Sequence, residues 1–268
     1  YDEPLFFDEI HGSLDLAWGA DRVTLSSGLL SARGEEGQIR ALFGLDIPLQ
    51  AGGNGIEMDL LVGVQDSHPI YRAKYVPNVL DENLSAWLDT SIGDGHIEEA
   101  AFLWRGALRR DAAPQRTVQL ACYVTDTYLE YHPDWPPATL ESGIVLINDA
   151  RVSVWSDSAT LFDSTASSLS VETWLNADKK VTLAVSGAIR GPAADGLALL
   201  NDSPLTALVG GAFSDWTASG ELETDVDLEL VLGQGAPPPV VDVQTRWLDV
   251  DLDVMPGKLP VKSVDGEF

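Results

Sequence analysis

Cysteine occurs once, at Cys122, so no internal disulfide can form within these 268 residues. Positive charge is scarce: 16 Lys and Arg stand against 42 Asp and Glu, for a formal net charge of −26. A polyanion of this strength repels phosphate backbones, which argues against any nucleic-acid partner. No run of ~18 apolar residues exists, so nothing here is expected to span a bilayer as a helix. An initiator Met, a basic n-region and a signal-peptide core are also missing, and Tyr1 is therefore expected to begin a cut piece or a processed chain.

Catalytic signatures are missing too. His11, His68, His96 and His132 lack metal-ligand spacing, and one cysteine makes no thiolate site. No Gly-x-Ser-x-Gly elbow occurs, and no Gly-rich loop leads from a strand into a helix. Carboxylates abound, but no pair stands apart from its neighbours as a glycosidase pair would. Gly93-Asp94-Gly95-His96 reads as a turn. The expectation is a protein without catalysis, without a metal and without a cofactor.

What is present is alternation. Apolar and polar residues alternate with period 2, the pattern of strands with one wet face. In Glu221-Leu222-Glu223-Thr224-Asp225-Val226-Asp227-Leu228-Glu229-Leu230, carboxylates hold the odd positions and mostly apolar residues the even ones. Leu248-Asp249-Val250-Asp251-Leu252-Asp253-Val254 repeats the pattern. On a regular strand Asp249, Asp251 and Asp253 line one face ~6.5–7 Å apart, too dispersed to converge on a cation, and they read as a solvated outer face. Ile39 to Ile47, Ile56 to Leu60, Leu14-Leu16-Trp18 and Val118-Leu120-Cys122-Val124 alternate likewise, with Val152 to Trp155 and Val181 to Val185 as shorter runs. Gly52-Gly53-Asn54-Gly55, Asn148-Asp149, Asn176-Ala177-Asp178 and Gly233 to Pro239 punctuate them as turns.

Two segments carry helical spacing instead. Leu80, Leu84, Trp87 and Leu88 predict a helix near 80–92 capped by Asp81, and Pro192 predicts a helix start near 192–201. The expected fold is therefore mainly β: around a dozen strands in a strongly curved antiparallel sheet, a repeating groove, with two short helices across an end or opening. The expected organisation is a β-rich part over 1–74, a groove unit with inserted helices over 75–210, and the start of a following β repeat over 211–268. Tyr128 to Pro137 packs three aromatics and three prolines into ten residues and reads as a rigid loop over an end of the core.

Several of these segments resemble the YhdP family of AsmA/TamB-like envelope proteins. Tyr75-Val76-Pro77-Asn78-Val79-Leu80, followed by Leu84, Trp87 and Leu88, is similar to that family's helix. Tyr128 to Pro137 is similar to its "Y-x-P-x-W-P" turn, and Gly187 to Leu205 to its "G-x-x-x-G-P…L-x-x-L-N-x-S-P-L" segment. Trp216-Thr217-Ala218-Ser219-Gly220 resembles its entry motif to a next repeat. The resemblance implies a fragment of a longer, inner-membrane-anchored protein that crosses the periplasm and moves phospholipid between the two membranes. It implies phospholipid acyl chains and neighbouring repeats of the same chain as partners. Taken with the alternation, it nominates a lipid groove of Val118, Leu120, Val124, Leu222, Val226, Leu228, Leu230, Leu248, Val250, Leu252 and Val254. The rival expectation is a structural or protein-binding β scaffold whose interior is filled by its own side chains, with Trp18, Trp104, Trp155, Trp174 and Trp247 large enough to close it.

Overall fold

A computed structural model describes residues 7–50, 55–71, 90, 92–109, 116–130, 134–203, 205–233, 235–254 and 260–268. The protein is mainly β. One antiparallel sheet of 15 strands, not closed on itself, has the order β1-β4-β5-β6-β7-β8-β9-β10-β11-β12-β13-β14-β15, with β2 on β3 and β3 also on β5. From β4 (Leu30–Gly34) onward, spatial order is chain order. The expected helix near 80–92 falls on 80–89 and 91, outside the described residues, as do Tyr75 to Leu88 of the family-like motif and Tyr131 to Pro133 of the aromatic loop.

The chain divides into two compact units. The first holds residues 1–89, 94–125 and 144–151. Its strands include β1 (Glu9–His11), β2 (Leu14–Trp18), β3 (Arg22–Ser27), β4, β5 (Gly37–Pro48), β6 (Glu57–Ser67) and β7 (His96–Ala107). The larger part of β8 (Arg116–Leu129) belongs to it as well. A 3-10 turn over Pro69–Tyr71 follows β6. β2, β5, β6 and β8 form where alternation predicts strands, the last three running longer because ladder pairing carries on past the apolar residues that signal it, whereas β1, β3, β4 and β7 lie outside the alternating runs.

The second unit holds residues 90–93, 126–143 and 152–268. It contains most of β9 (Ala138–Asn148) and β10 (Arg151–Leu161), then β11 (Ser164–Leu175), β12 (Val181–Pro192), β13 (Thr217–Val231), β14 (Val240–Asp253) and β15 (Val261–Glu267). Between β12 and β13 lie α1 (Ala193–Asn201) and the single-turn α2 (Leu205–Val209). The helix starts one position later than expected, at Ala193: Pro192 ends β12 with φ −58° and ψ 138° and serves as the N-cap. Its fixed φ and missing N–H suit it to both tasks. Gly191 lets this junction press on the β10–β11 turn, since a Cβ there would overlap Ser164. The Ser164 hydroxyl in turn donates to Asp195 in the first turn of α1 at 2.6 Å, and the Asp163 N–H donates to the same carboxylate oxygen at 3.0 Å.

One buried cluster of this unit gathers beneath the start of α1, while Leu140, Val154, Ala159 and Ala166 are buried outside it. Ala193, Val250 and Leu252 are buried together, and Trp216, Ala218, Leu222, Trp247, Val254 and Val264 pack around them. Thr206 of α2 closes the next turn: its hydroxyl lies 2.7–2.9 Å from the carbonyls of Leu200, Asn201 and Ser203, which share its single proton. Phe213 meets Trp216 edge to face with centroids 4.9 Å apart, and Trp247 packs against Phe268 at 5.0 Å.

β14 departs from the regular alternation read in its sequence. Opposite β13, Leu222 faces Trp247 and Glu221 faces Leu248, but Ser219 faces Asp251, so β14 carries one extra residue. That residue is Asp249, held at φ +50° across from Gly220 at φ +95°. A Cβ on Gly220 would run into the Asp249 carbonyl oxygen, so glycine is needed there for space and for conformation together. Gly220→Ala is expected to lower stability by about 1–3 kcal/mol, read as a fall in the urea midpoint with an unchanged slope.

A candidate apolar binding face

Directly opposed residues on neighbouring antiparallel strands share a face, so the register converts alternation into rows. In the first unit Phe43, Leu60, Trp104 and Val118 form one row across β5 to β8. Ala41, Val62, Phe102 and Leu120 form the next, and Ile39, Val64, Ala100 and Cys122 a third. Glu98 is an extra residue in β7, and beyond it Val124 faces Ile97 on the same side. β3 extends the surface, with Val23 opposite Ile47 and Leu25 opposite Leu45.

In the second unit Val154, Val171, Val185, Leu228 and Val241 run across β10 to β14. Val226 lies between Gly187 and Val243, and Leu230 opposes Leu183. Glu221, Asp225, Asp227 and Glu229 are exposed, and Glu223 is half-buried beside two arginines. The alternation of β13 thus predicts the two sides of that strand correctly. β14 is different. Leu248 shares a side with Glu221, the charged face, and the bulge at Asp249 returns Val250, Leu252 and Val254 to the side of Leu222 and Trp247. One inserted residue flips every later side chain, which is why regular period 2 misplaces Leu248.

Of the nominated groove residues, Val118, Leu120 and Val124 therefore share the face of the first unit, Val124 being buried and the other two half-buried. Val226, Leu228 and Leu230 share the open face of the second, all half-buried. Leu222, Val250, Leu252 and Val254 are packed among the side chains around Ala193, so the chain itself occupies their surface. Away from that cluster the face is only partly covered: Val241 and Val243 each remain 45 % exposed.

The tryptophans do not assemble into one plug. Trp18 is 76 % exposed, while Trp155 and Trp174 lie opposite Ser170 and Thr182, on the other side of β10–β12 from Val154, Val171 and Val185. Among the described tryptophans only Trp104 is fully buried, at 1 % exposure, and the Arg116 guanidinium lies over its ring, 5.4 Å from the centroid. In the aromatic segment Tyr128 is exposed, Trp135 half-buried and Pro136 buried.

The opposite face carries the charge. In the first unit Arg105 pairs with Asp59 at 2.6 Å and Arg22 with Asp46 at 2.8 Å. In the second, alternating charges step across four strands. Arg190 meets Glu221 and Glu223, and Arg246 meets Glu223 and Glu267, at 2.7–3.4 Å. The hydrogen bond and charge of Glu221 hold the Arg190 proton more firmly than usual, and those of Glu267 do the same for Arg246.

Asp249, Asp251 and Asp253 are not a uniformly wet row. The Asp251 carboxylate accepts from the Ser263 N–H at 2.8 Å, and Asp265 accepts from the Asp249 N–H at 2.9 Å. Asp253 Oδ1 is buried and unpaired. Sequence reading also missed a histidine pair in the first unit. His68 and His96 meet edge to face at 5.3 Å, with Asp66 3.5 Å from His96 Nε2. Among the described residues no group of three or more His, Cys, Asp and Glu is placed to hold a metal. Arg116 was legible in principle, because in Arg116-Thr117-Val118-Gln119-Leu120 it occupies the apolar phase.

Cys122 reports directly on this face. It sits opposite Ala100, and burial pushes its thiol from 9.0 up to about 11 by disfavouring the thiolate. At pH 8 its reaction with an aromatic disulfide reagent should run about a hundredfold slower than that of the urea-unfolded chain. Between pH 9 and 11 stability should fall as pH rises, since the unfolded chain gives up that proton first. A folded-state thiol reacting at the unfolded rate would contradict the burial.

The sequence model of one family, described as YhdP protein, matches residues 1–268. No curated protein and no solved structure matches the chain.

Proposed function

Because the chain belongs to the YhdP family, an envelope-associated family of the AsmA-like type, we propose that it is a non-enzymatic lipid-transfer segment of the periplasm. Its partly covered apolar faces carry phospholipid acyl chains between the inner and outer membranes. In the longer protein an inner-membrane anchor and neighbouring repeats of the same chain complete the path.

The observation that carries this reading is the pairing of in-register apolar rows with incomplete burial. Val118 and Leu120 in the first unit, and Val226, Leu228 and Leu230 in the second, are all half-buried on the apolar side. Hydrocarbon would complete what the chain leaves uncovered. Shielding a CH₂ from water is worth ~0.8 kcal/mol, so a palmitoyl-length chain gains on the order of 10 kcal/mol before ordering costs. Carboxylates on the other face keep the sheet in water and discourage self-association. The self-filled scaffold has support where α1 meets β13 and β14, around Ala193, Val250 and Leu252, and where Ile39, Ala100, Trp104 and Val124 are buried in the first unit.

The test is lipid retention by the purified protein, read by native mass spectrometry after exposure to phospholipid vesicles. Leu120→Asp and Val226→Asp should each lower retention about tenfold or more, because a lone charge against hydrocarbon costs several kcal/mol. Asp227→Lys, on the charged face, should leave retention within about twofold. All three are compared only after circular dichroism and urea midpoints show folded protein. Equal losses on both faces, or a wild-type chain that retains no lipid, would overturn the proposal.

A further inference from the structure

Among the described residues, Arg116 is a cation on the apolar side of the sheet. Arg22 and Arg105 project from the charged face of the first unit, Arg190 and Arg246 from that of the second, and each pairs with a carboxylate. Arg116 instead shares the apolar face. It opposes Gly106, next to the row of Leu60, Trp104 and Val118, and its guanidinium covers the Trp104 ring. Among the described residues no carboxylate pairs with it. Its Nε donates to the Ala107 carbonyl at 3.0 Å, and an Nη donates to the Arg109 carbonyl. A guanidinium has five N–H donors in a planar fork, and among the described residues these two carbonyls take two of them. Trp104 beneath it also leaves its buried Nε1–H without an acceptor.

An apolar ligand has no use for this charge, and a chain of net charge −26 has no shortage of carboxylates to neutralise it. The position suits a ligand that is apolar along most of its length and anionic at one end. Arg116 is the first residue of β8, where the apolar rows meet the strand ends, and Val118, Leu120, Cys122 and Val124 continue from it along one side. From Arg116 to Val124 the strand covers about 27 Å, the scale of an extended acyl chain. Its partners hold the guanidinium: two backbone carbonyls and the indole fix the plane of the fork before any anion arrives. A fork of this geometry pairs bidentately with phosphate.

We propose that Arg116 is the headgroup anchor of the first unit, binding the phosphate of a phospholipid whose acyl chain lies along the Val118–Leu120–Cys122 side of β8. This rests on the acyl-carrying reading of the face and adds what fixes the lipid's polarity and position on it. Phosphate selectivity then resides at the end of the face, while the rows themselves accept any hydrocarbon.

The experiment compares retention of phosphatidylglycerol and of diacylglycerol with identical acyl chains, each presented in neutral-detergent micelles, by wild type, Arg116→Gln and Arg116→Lys. Losing a charge-assisted pair should lower phosphatidylglycerol retention about tenfold in Arg116→Gln. Arg116→Lys should recover a substantial part of it, and diacylglycerol retention should stay within about twofold across all three. A separate arm adds inorganic phosphate at millimolar concentration, which should not displace the bound phospholipid. Equal loss of both lipids in Arg116→Gln, or no loss of either, would overturn the anchor while leaving the acyl face standing. Displacement by inorganic phosphate would overturn it in favour of a free-anion site. Wild-type protein that retains neither lipid would remove the acyl face itself, and the anchor with it.

Discussion

A strand offers its side chains two directions and no others. In this protein that constraint decides which residues meet water, and pairing register spreads each strand's choice to its neighbours. Phe43 fixes the side of Leu60, Leu60 that of Trp104, and Trp104 that of Val118. A phase error in one strand would turn an apolar row outward and drive a carboxylate inward. The bulges therefore matter as much as the ladders. Asp249 in β14 and Ser263 in β15 are each one residue too many, and both adopt positive φ. Together they let the two strands leave register and regain it. The N–H groups freed there are met by Asp265 and Asp251.

This gives part of the acidity a structural role. Among the described residues, Asp66, Asp126, Asp149 and Asp249 all adopt left-handed backbone conformations. Aspartate tolerates that region better than most side chains because its short polar arm can bond locally. Asp149 illustrates the point: its carboxylate accepts from the Val118 N–H at 2.8 Å, while its own N–H donates to the Val118 carbonyl. Acidic residues here thus do three jobs. Some hold bulges and turns, some build the Arg190–Glu223–Arg246 ladder, and the rest keep one face of the sheet wet.

Much of this was readable from residue order. Alternation finds β2, β5, β6, β8, β10, β12, β13 and the end of β14, together with the two sides of β13, because long runs with one wet face leave few other interpretations. β1, β3, β4, β7, β9, β11 and β15 carry weaker alternation and were not signalled by it. The helix at Ala193–Asn201 is announced by Pro192 and the apolar residues after it. What alternation cannot carry is a change of phase. Leu248-Asp249-Val250 looks like unbroken period 2, yet the backbone spends Asp249 on a bulge and places Leu248 opposite its expected side. Nor can it show that α1 covers Val250 and Leu252, a contact between residues more than fifty positions apart. Residues before Leu248 carry weaker alternation, and Val240 to Trp247 of the same strand were missed. His68 and His96 come together only because β6 and β7 pair, with Ser67 opposite Ile97.

Strand order in this sheet follows chain order from β4 to β15, with only β1 to β3 departing from it. Each strand past β4 consequently adds to one made just before it, and no strand in that series waits for a distant stretch of sequence to arrive. Most of these pairings close short turns at a low entropic cost per step, the long connections from β6 to β7 and from β12 through α1 and α2 to β13 being the exceptions. Such a sheet can be assembled directionally, strand by strand, as a chain emerges from a narrow exit. At each stage the growing edge is a single strand, and the next segment to appear is its partner.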